Sequence, residues 1–223
     1  MSVLSIAGTG YDCNLYVVTG PHPVLVDAGT GMHMRKVLDR IEKLHLERPI
    51  EKIVLTHRHF DHVGGAADLA SKFNAEVFIH EDDADSVEKG DNESTAANAY
   101  GSRLKPIKVT RIAEDDTIST GEHELMVLHT PGHTAGSICL YERSKRFLIS
   151  GDTVFVGGVG RWDLPTGNRR ELISSIRCLL MQQPQDLYPG HGPTSIGNAT
   201  ETIQDSYHIL SEVPKSPNAS GEL

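Results

Sequence analysis

Cysteine is scarce: Cys13, Cys139 and Cys178 are three of 223 residues, odd in number and far apart in the chain. They exclude a disulfide framework and fit three reduced thiols. Long apolar runs are missing too, so no segment approaches a membrane span, and residues 1–8 lack the basic start and longer apolar stretch of a secretion signal. A soluble cytoplasmic protein with no membrane partner is expected. Basic charge is also short, with 21 Lys plus Arg against 30 Asp plus Glu, a formal net charge of −9 and no basic cluster. A nucleic-acid partner is therefore disfavoured, although acidity by itself speaks more to solubility. No internal repeat is present.

The composition, 38% hydrophobic and 23% charged, is enough to bury a substantial core in one large domain or two fused halves. We expect a single domain over residues 1–213. The polar, Pro/Gly/Ser-rich end at 214–223 reads as a frayed tail.

The most informative run is Thr56-His57-Arg58-His59-Phe60-Asp61-His62, which places four metal-capable side chains within six residues. It follows the apolar run Glu51-Lys52-Ile53-Val54-Leu55, a buried strand, and precedes Val63-Gly64-Gly65-Ala66-Ala67-Asp68, a helix start. On an extended turn His57 and His59 project to the same side, where two imidazoles can share a cation, while Asp61 and His62 point elsewhere. A divalent ion that accepts imidazole nitrogen and carboxylate oxygen together makes a second ion beside the first plausible.

Four residues do not complete two such sites, and three further strand-end turns supply the remainder. Leu125-Met126-Val127-Leu128 runs into His129-Thr130-Pro131-Gly132-His133. Arg146-Phe147-Leu148-Ile149 runs into Ser150-Gly151-Asp152, and Gln185-Asp186-Leu187-Tyr188 into Pro189-Gly190-His191. Each sets a His or Asp beside a glycine that allows a sharp turn. The isolated histidines His22, His33, His45, His80, His123, His129 and His208 are assigned no role.

This order of HxHxDH, a later His, a later Asp and a final His resembles the metallo-β-lactamase superfamily over roughly residues 12–192. The resemblance implies a four-layer αββα sandwich in the α/β class, with metals at one edge. It implies that His57, His59 and His133 hold a first metal, that Asp61, His62 and His191 hold a second, and that Asp152 bridges them. Two divalent ions per chain are expected, zinc ahead of iron or manganese. A structural zinc staple is the less favoured alternative, since such sites are usually closed and often Cys-rich.

The pattern for strands falls at residues 14–19, 24–27, 53–56, 76–79, 107–112, 124–128, 137–141, 147–150 and 186–188, and for helices at 32–45, 65–73, 81–89, 169–182 and 197–211. A polar loop over 88–105 offers Tyr100 and Arg103 as substrate contacts. Asp27, at the end of Val24-Leu25-Val26, is placed to accept a ring proton from a ligating histidine. Thr56, Thr130 and Thr153 flank ligands and serve the same end or cap their turns.

The segment Thr153-Val154-Phe155-Val156-Gly157-Gly158-Val159-Gly160-Arg161-Trp162-Asp163 resembles the short-form glyoxalase II-like hydrolases, as does Pro189-Gly190-His191-Gly192-Pro193. That resemblance implies hydroxyacylglutathione hydrolase chemistry: a small-molecule thioester or ester substrate, a metal-bridging hydroxide, Asp61 and Asp152 as catalytic residues and Arg161 as a substrate contact. Only 32 residues follow His191, with Lys215 their one basic residue, so the glutathione-holding segment of the long forms has no counterpart there. Gly160-Arg161-Trp162-Asp163 also resembles the GRxD segment of persulfide dioxygenases, which use a single iron on positions equivalent to His57, His133 and Asp152. A lactonase is a third alternative, with Phe155 where those enzymes place a tyrosine. Oligomeric state and the physiological substrate stay open.

Overall fold

The computed structural model describes residues 2–212. Its elements in chain order are β1 (Val3–Ile6), β2 (Leu15–Val18), β3 (Val24–Val26), α1 (Met34–Glu42), β4 (Lys52–Val54), α2 (Phe60–Val63), α3 (Ala66–Phe73), β5 (Glu76–His80), α4 (Glu81–Lys89), a 3₁₀ turn (Ala97–Tyr100), β6 (Thr110–Ile112), β7 (Thr117–Ser119), β8 (Glu124–His129), β9 (Ile138–Glu142), β10 (Phe147–Gly151), β11 (Val154–Phe155), β12 (Gly158–Val159), α5 (Arg169–Gln182), β13 (Asp186–Pro189) and α6 (Ala199–Glu212).

One six-stranded sheet runs β1-β2-β3-β4-β5-β6, and a five-stranded sheet runs β13-β10-β9-β8-β7. In the first, β3 to β6 are mutually parallel. In the second, β8 and β10 each pair antiparallel to β9, and β13 lies parallel to β10, so these three point the same way. The small β11-β12 hairpin stands apart.

Strand alternation explains the layering, because successive side chains leave opposite faces of a strand. In β2, Leu15 and Val17 pack into a core with Val37 and Ile41 of α1, Leu69 of α3 and Val87 of α4. The intervening Tyr16 and Val18 face the other sheet and meet Leu125, Val127, Leu140 and Phe147. Leu148 of β10 turns outward to a third core with Leu172, Ile176 and Leu179 of α5 and Ile203 and Leu210 of α6. Helix, sheet, sheet, helix is thus the four-layer αββα sandwich expected. Each of these fully buried aliphatic side chains contributes roughly 1.5–3 kcal/mol of transfer free energy.

The differences from the sequence pattern are local. The helices over 81–89 and 169–182 fall where expected. In α4, Glu81, Asp82 and Asp83 occupy the first turn and Gly90 closes the helix in the left-handed conformation. In α5, the Asn168 side chain accepts from the Arg170 and Glu171 amides. Short strands such as β1, β7, β11 and β12 offer too few residues for a period to show. The tail at 214–223 lies outside the described residues.

Candidate metal centre

The C-terminal ends of β3, β4, β5, β8, β10 and β13 and the N-terminal end of β2 open on one edge of the sandwich, and every motif residue lies in the loops or the short helix α2 there. This is where ligands enter open α/β sheets. After β4 the chain bends through residues 56–58, is extended at His59 and turns into α2 at Phe60. His57 and His59 therefore reach one point, and Asp61 and His62, on the helix, reach a neighbouring one.

Three imidazole nitrogens converge at the first point. His59 Nδ1 lies 2.8 Å from His133 Nε2, which lies 3.2 Å from His57 Nε2. At the second point His62 Nε2 is 3.3 Å from His191 Nε2, and His191 Nε2 is 3.1 Å from Asp61 Oδ2. Asp152 stands between the two sets, with Oδ1 3.1 Å from His62 Nε2 and Oδ2 3.6 Å from both His133 Nε2 and His191 Nε2. All seven residues expected as ligands from the sequence are brought together.

The electrostatics fit divalent cations. Burial and the adjacent rings hold His57 well below the usual histidine range and His59 down to about 3, so both stay neutral, as metal ligands must. At the second point burial opposes charge on His62 and His191, but Cys13, Asp152, Asp27 and Asp61 around His62, and Asp61 and Asp152 beside His191, outweigh it and raise both. Burial pushes Asp152 upward, and the His62, His133 and His191 rings more than reverse that, holding the carboxyl far below its ordinary range. Asp152 Oδ1 is buried without a hydrogen-bond partner. An orphaned carboxylate oxygen among nitrogen donors fits a ligand shared by two cations.

Second partners orient these side chains. Asp27, at positive φ after β3, accepts from the Thr56 amide at 2.8 Å and the Thr56 hydroxyl at 3.0 Å, and meets His62 Nδ1 at 2.8 Å. It therefore fixes the ring of one candidate ligand, as anticipated. His133 Nδ1 donates to the Arg161 carbonyl at 2.7 Å. Asn14 holds the final loop: its amide donates to the Gly190 carbonyl, and its side chain donates to the carbonyls of Pro189 and Gly192. Gly190 itself packs against Asp152 and His62, leaving no space for a Cβ.

The softer assignments resolve unevenly. Tyr100 packs on Phe60, and its phenol, pushed up to about 12 by burial and by Asp61, lies beside that carboxylate. Arg161 is exposed, and its side chain is paired with Asp163 at 2.8 Å, so it reaches the centre through its backbone carbonyl. Arg103 is exposed, in the loop after the 3₁₀ turn. Thr130 and Thr153 hydrogen-bond each other at 2.8 Å, bracing two ligand loops. Sequence reasoning missed Tyr11, an exposed ring edge-on to Tyr100, and the buried Arg58 and Asp83 beneath the first set. No spacing marks those three.

The sequence pattern of the metallo-beta-lactamase superfamily matches residues 8–191, and the chain belongs to that superfamily. Among similar proteins is a probable metallo-hydrolase of Methanocaldococcus jannaschii, 35% identical over 85% of this chain and 92% of its own. A hydroxyacylglutathione hydrolase of Haemophilus influenzae is 30% identical over 88% and 93%, and an acyl-coenzyme A thioesterase of Gallus gallus is 31% identical over 82% and 73%. A solved structure described as a di-iron-bound form is 34% identical, with a TM-score of 0.74 over 86% of this chain and 94% of that one. The chain is thus a superfamily metallo-hydrolase with His/Asp clusters able to bind metal ions. Among the described residues no helix is long and apolar enough to cross a membrane.

Proposed function

We propose that this protein is a dinuclear metal-dependent thioesterase of the hydroxyacylglutathione hydrolase type, with zinc ahead of iron or manganese as the metal. The carrying observation is the position of Asp152 between the two sets, with Oδ1 3.1 Å from His62 Nε2 and Oδ2 3.6 Å from both His133 Nε2 and His191 Nε2. The named activities of two relatives, a hydroxyacylglutathione hydrolase and an acyl-coenzyme A thioesterase, support a thioester substrate.

His57, His59 and His133 would hold one cation, Asp61, His62 and His191 the other, and Asp152 both. When bound, such a pair lowers the pKa of a shared water toward neutrality and polarises a carbonyl oxygen. Asp61 would orient the attacking water through its free oxygen. The Tyr100 phenol, pushed up to about 12 and so protonated across the physiological range, would donate to Asp61 and fix the carboxylate for that task. Tyr11 and Tyr100 on the Asp61 side and Phe155, 6.0 Å from the His191 ring, form walls that would hold an apolar part of the acyl group. The exposed Arg103 would meet an acidic group on the thiol, since Arg161 is engaged by Asp163.

A persulfide dioxygenase with one iron would use His57, His133 and Asp152, and would leave the converged Asp61, His62 and His191 without a task. Elemental analysis of the protein purified without oxygen, followed by a thioester panel, separates the two. Two metals per chain with thioester turnover is the expected result. One iron per chain, with oxygen consumed in the presence of persulfides, would overturn it.

A further inference from the structure

Arg58 lies between the candidate ligands His57 and His59, and Thr134 and Gly136 lie just after His133. Those two loops come from opposite sheets, yet they hold His59 Nδ1 and His133 Nε2 2.8 Å apart. The group that joins them is Asp83, in the first turn of α4 and fully buried. Its Oδ2 accepts from the Arg58 amide at 2.9 Å and from the Thr134 hydroxyl at 2.7 Å. Its Oδ1 accepts from the Gly136 amide at 3.0 Å and faces the Arg58 guanidinium at 3.5 Å.

Arg58 extends the clasp to a third segment. Its guanidinium donates to the Pro165 carbonyl at 3.0 Å and to the Thr166 hydroxyl, which also accepts from the Ala135 amide at 3.2 Å. Gly136 is required for the fit, because a Cβ there would lie 2.7 Å from Asp83 Cγ.

None of these bonds reaches the second set. That set hangs on Asp27, through Thr56 and His62, and on Asn14. Asp83 thus braces the first set only, whereas Asp27 underlies the second and also reaches His57 through the Thr56 hydroxyl, 3.1 Å from His57 Nδ1.

We propose that Asp83 is the positioning residue of the first metal set, acting through the Arg58 amide and the Thr134-Ala135-Gly136 turn without touching a cation. The inference rests on the dinuclear reading above. It makes the two sets separable: weakening Asp83 lowers affinity at His57, His59 and His133 and spares Asp61, His62 and His191. Asp83→Asn is the suitable change, because it keeps the shape. Whichever way the amide is turned, an NH₂ faces donors that now find a carboxylate oxygen.

The test is a zinc titration against a chromophoric chelator, using the full chain stripped of metal. Asp83→Asn is placed in a His191→Ala background, which disables the second set, and in a His133→Ala background, which disables the first. We expect zinc affinity to fall about 10–100-fold in the His191→Ala background and less than about twofold in the other, the scale of lost support behind metal ligands. Equal losses in both backgrounds, or none in either, would overturn the role of Asp83 and leave the metal centre standing. A parent chain that takes up no zinc would overturn the metal-centre reading itself, and this inference with it. Circular dichroism of each variant reports folding. If Asp83→Asn does not fold, Thr134→Val, which removes one of the three hydrogen bonds to Asp83 together with the Thr134–Ser137 hydroxyl bond, is titrated in the same two backgrounds with the same expected asymmetry and the same overturning results.

Discussion

Gly190→Ala tests the architecture of the centre with a single methyl group. Gly190 does not occupy the left-handed region, so its backbone accepts alanine without strain. The added Cβ would instead lie 2.3 Å from Asp152 Oδ1, 2.7 Å from His62 Cε1 and 3.1 Å from the Gly151 carbonyl carbon. Ordinary contact requires the carboxylate to retreat by about 1 Å. The backbone cannot retreat in its place, since the Gly190 amide donates to the Gly151 carbonyl at 2.8 Å and its carbonyl accepts from Asn14 at 2.7 Å. Catalytic constellations tolerate about 0.5 Å, and a misplacement of about 1 Å costs on the order of 100-fold in rate. Overpacking adds about 1–3 kcal/mol of destabilisation, a fall in Tm of roughly 2–12 °C for a chain this size. The assay pairs thermal unfolding with metal content and thioester turnover, and we expect metal per chain to drop along with rate. A Gly190→Ala protein with parental metal content and a rate within about twofold of the parent would refute the placement of Asp152 between the two sets.

Asp27→Asn should remove the acceptor that fixes His62 and leave buried donors unpaired, costing about 1–3 kcal/mol in denaturant unfolding and about 10–100-fold in metal affinity at the second set; parental values for both would count against it. Stripping the metals with a chelator should lower Tm by roughly 8–16 °C relative to protein held at a thousandfold excess over Kd, and zinc should restore it. An unchanged Tm would mean the sets hold no cation. Tyr100→Phe should lower kcat with little change in KM, since only the phenol that orients Asp61 is lost, whereas Tyr11→Ala should raise KM for apolar acyl groups. The opposite split would assign the two rings the other way round.

What was legible in the sequence follows the range of the interactions. The ligands were readable because four of them crowd into six residues after β4 and the other three each sit in a strand-end turn beside glycine, local signals in spacing and residue type. The helices α4 and α5 were readable for the same reason, since capping and first-turn charge are local. Asp83, by contrast, is one of three consecutive acids in the first turn of an acidic helix, and nothing local separates it from exposed Asp82. Its role exists only because β5 ends opposite the His133 loop. Arg161 shows the complementary failure: its side chain suggested a substrate contact, yet the interaction at the centre is made by its carbonyl, a group every residue carries.

The same distinction bears on how the two halves of the chain depend on each other. Each candidate set draws two ligands from the loop after β4 and one from the second half, His133 for the first and His191 for the second, and Asp152 joins both from β10. Neither half completes a set alone. The Ile138 amide donates to the Thr56 carbonyl at 2.9 Å, so the sheets are already linked by backbone directly beneath the centre. A cation bound there would add its binding free energy to the packing between sheets, because ligands from both sheets must be in place to receive it. Metal loss should therefore loosen the loop edge of the sandwich first, and the opposite edge, held by the inter-sheet core of Val18, Val24, Ile118 and Phe147, last.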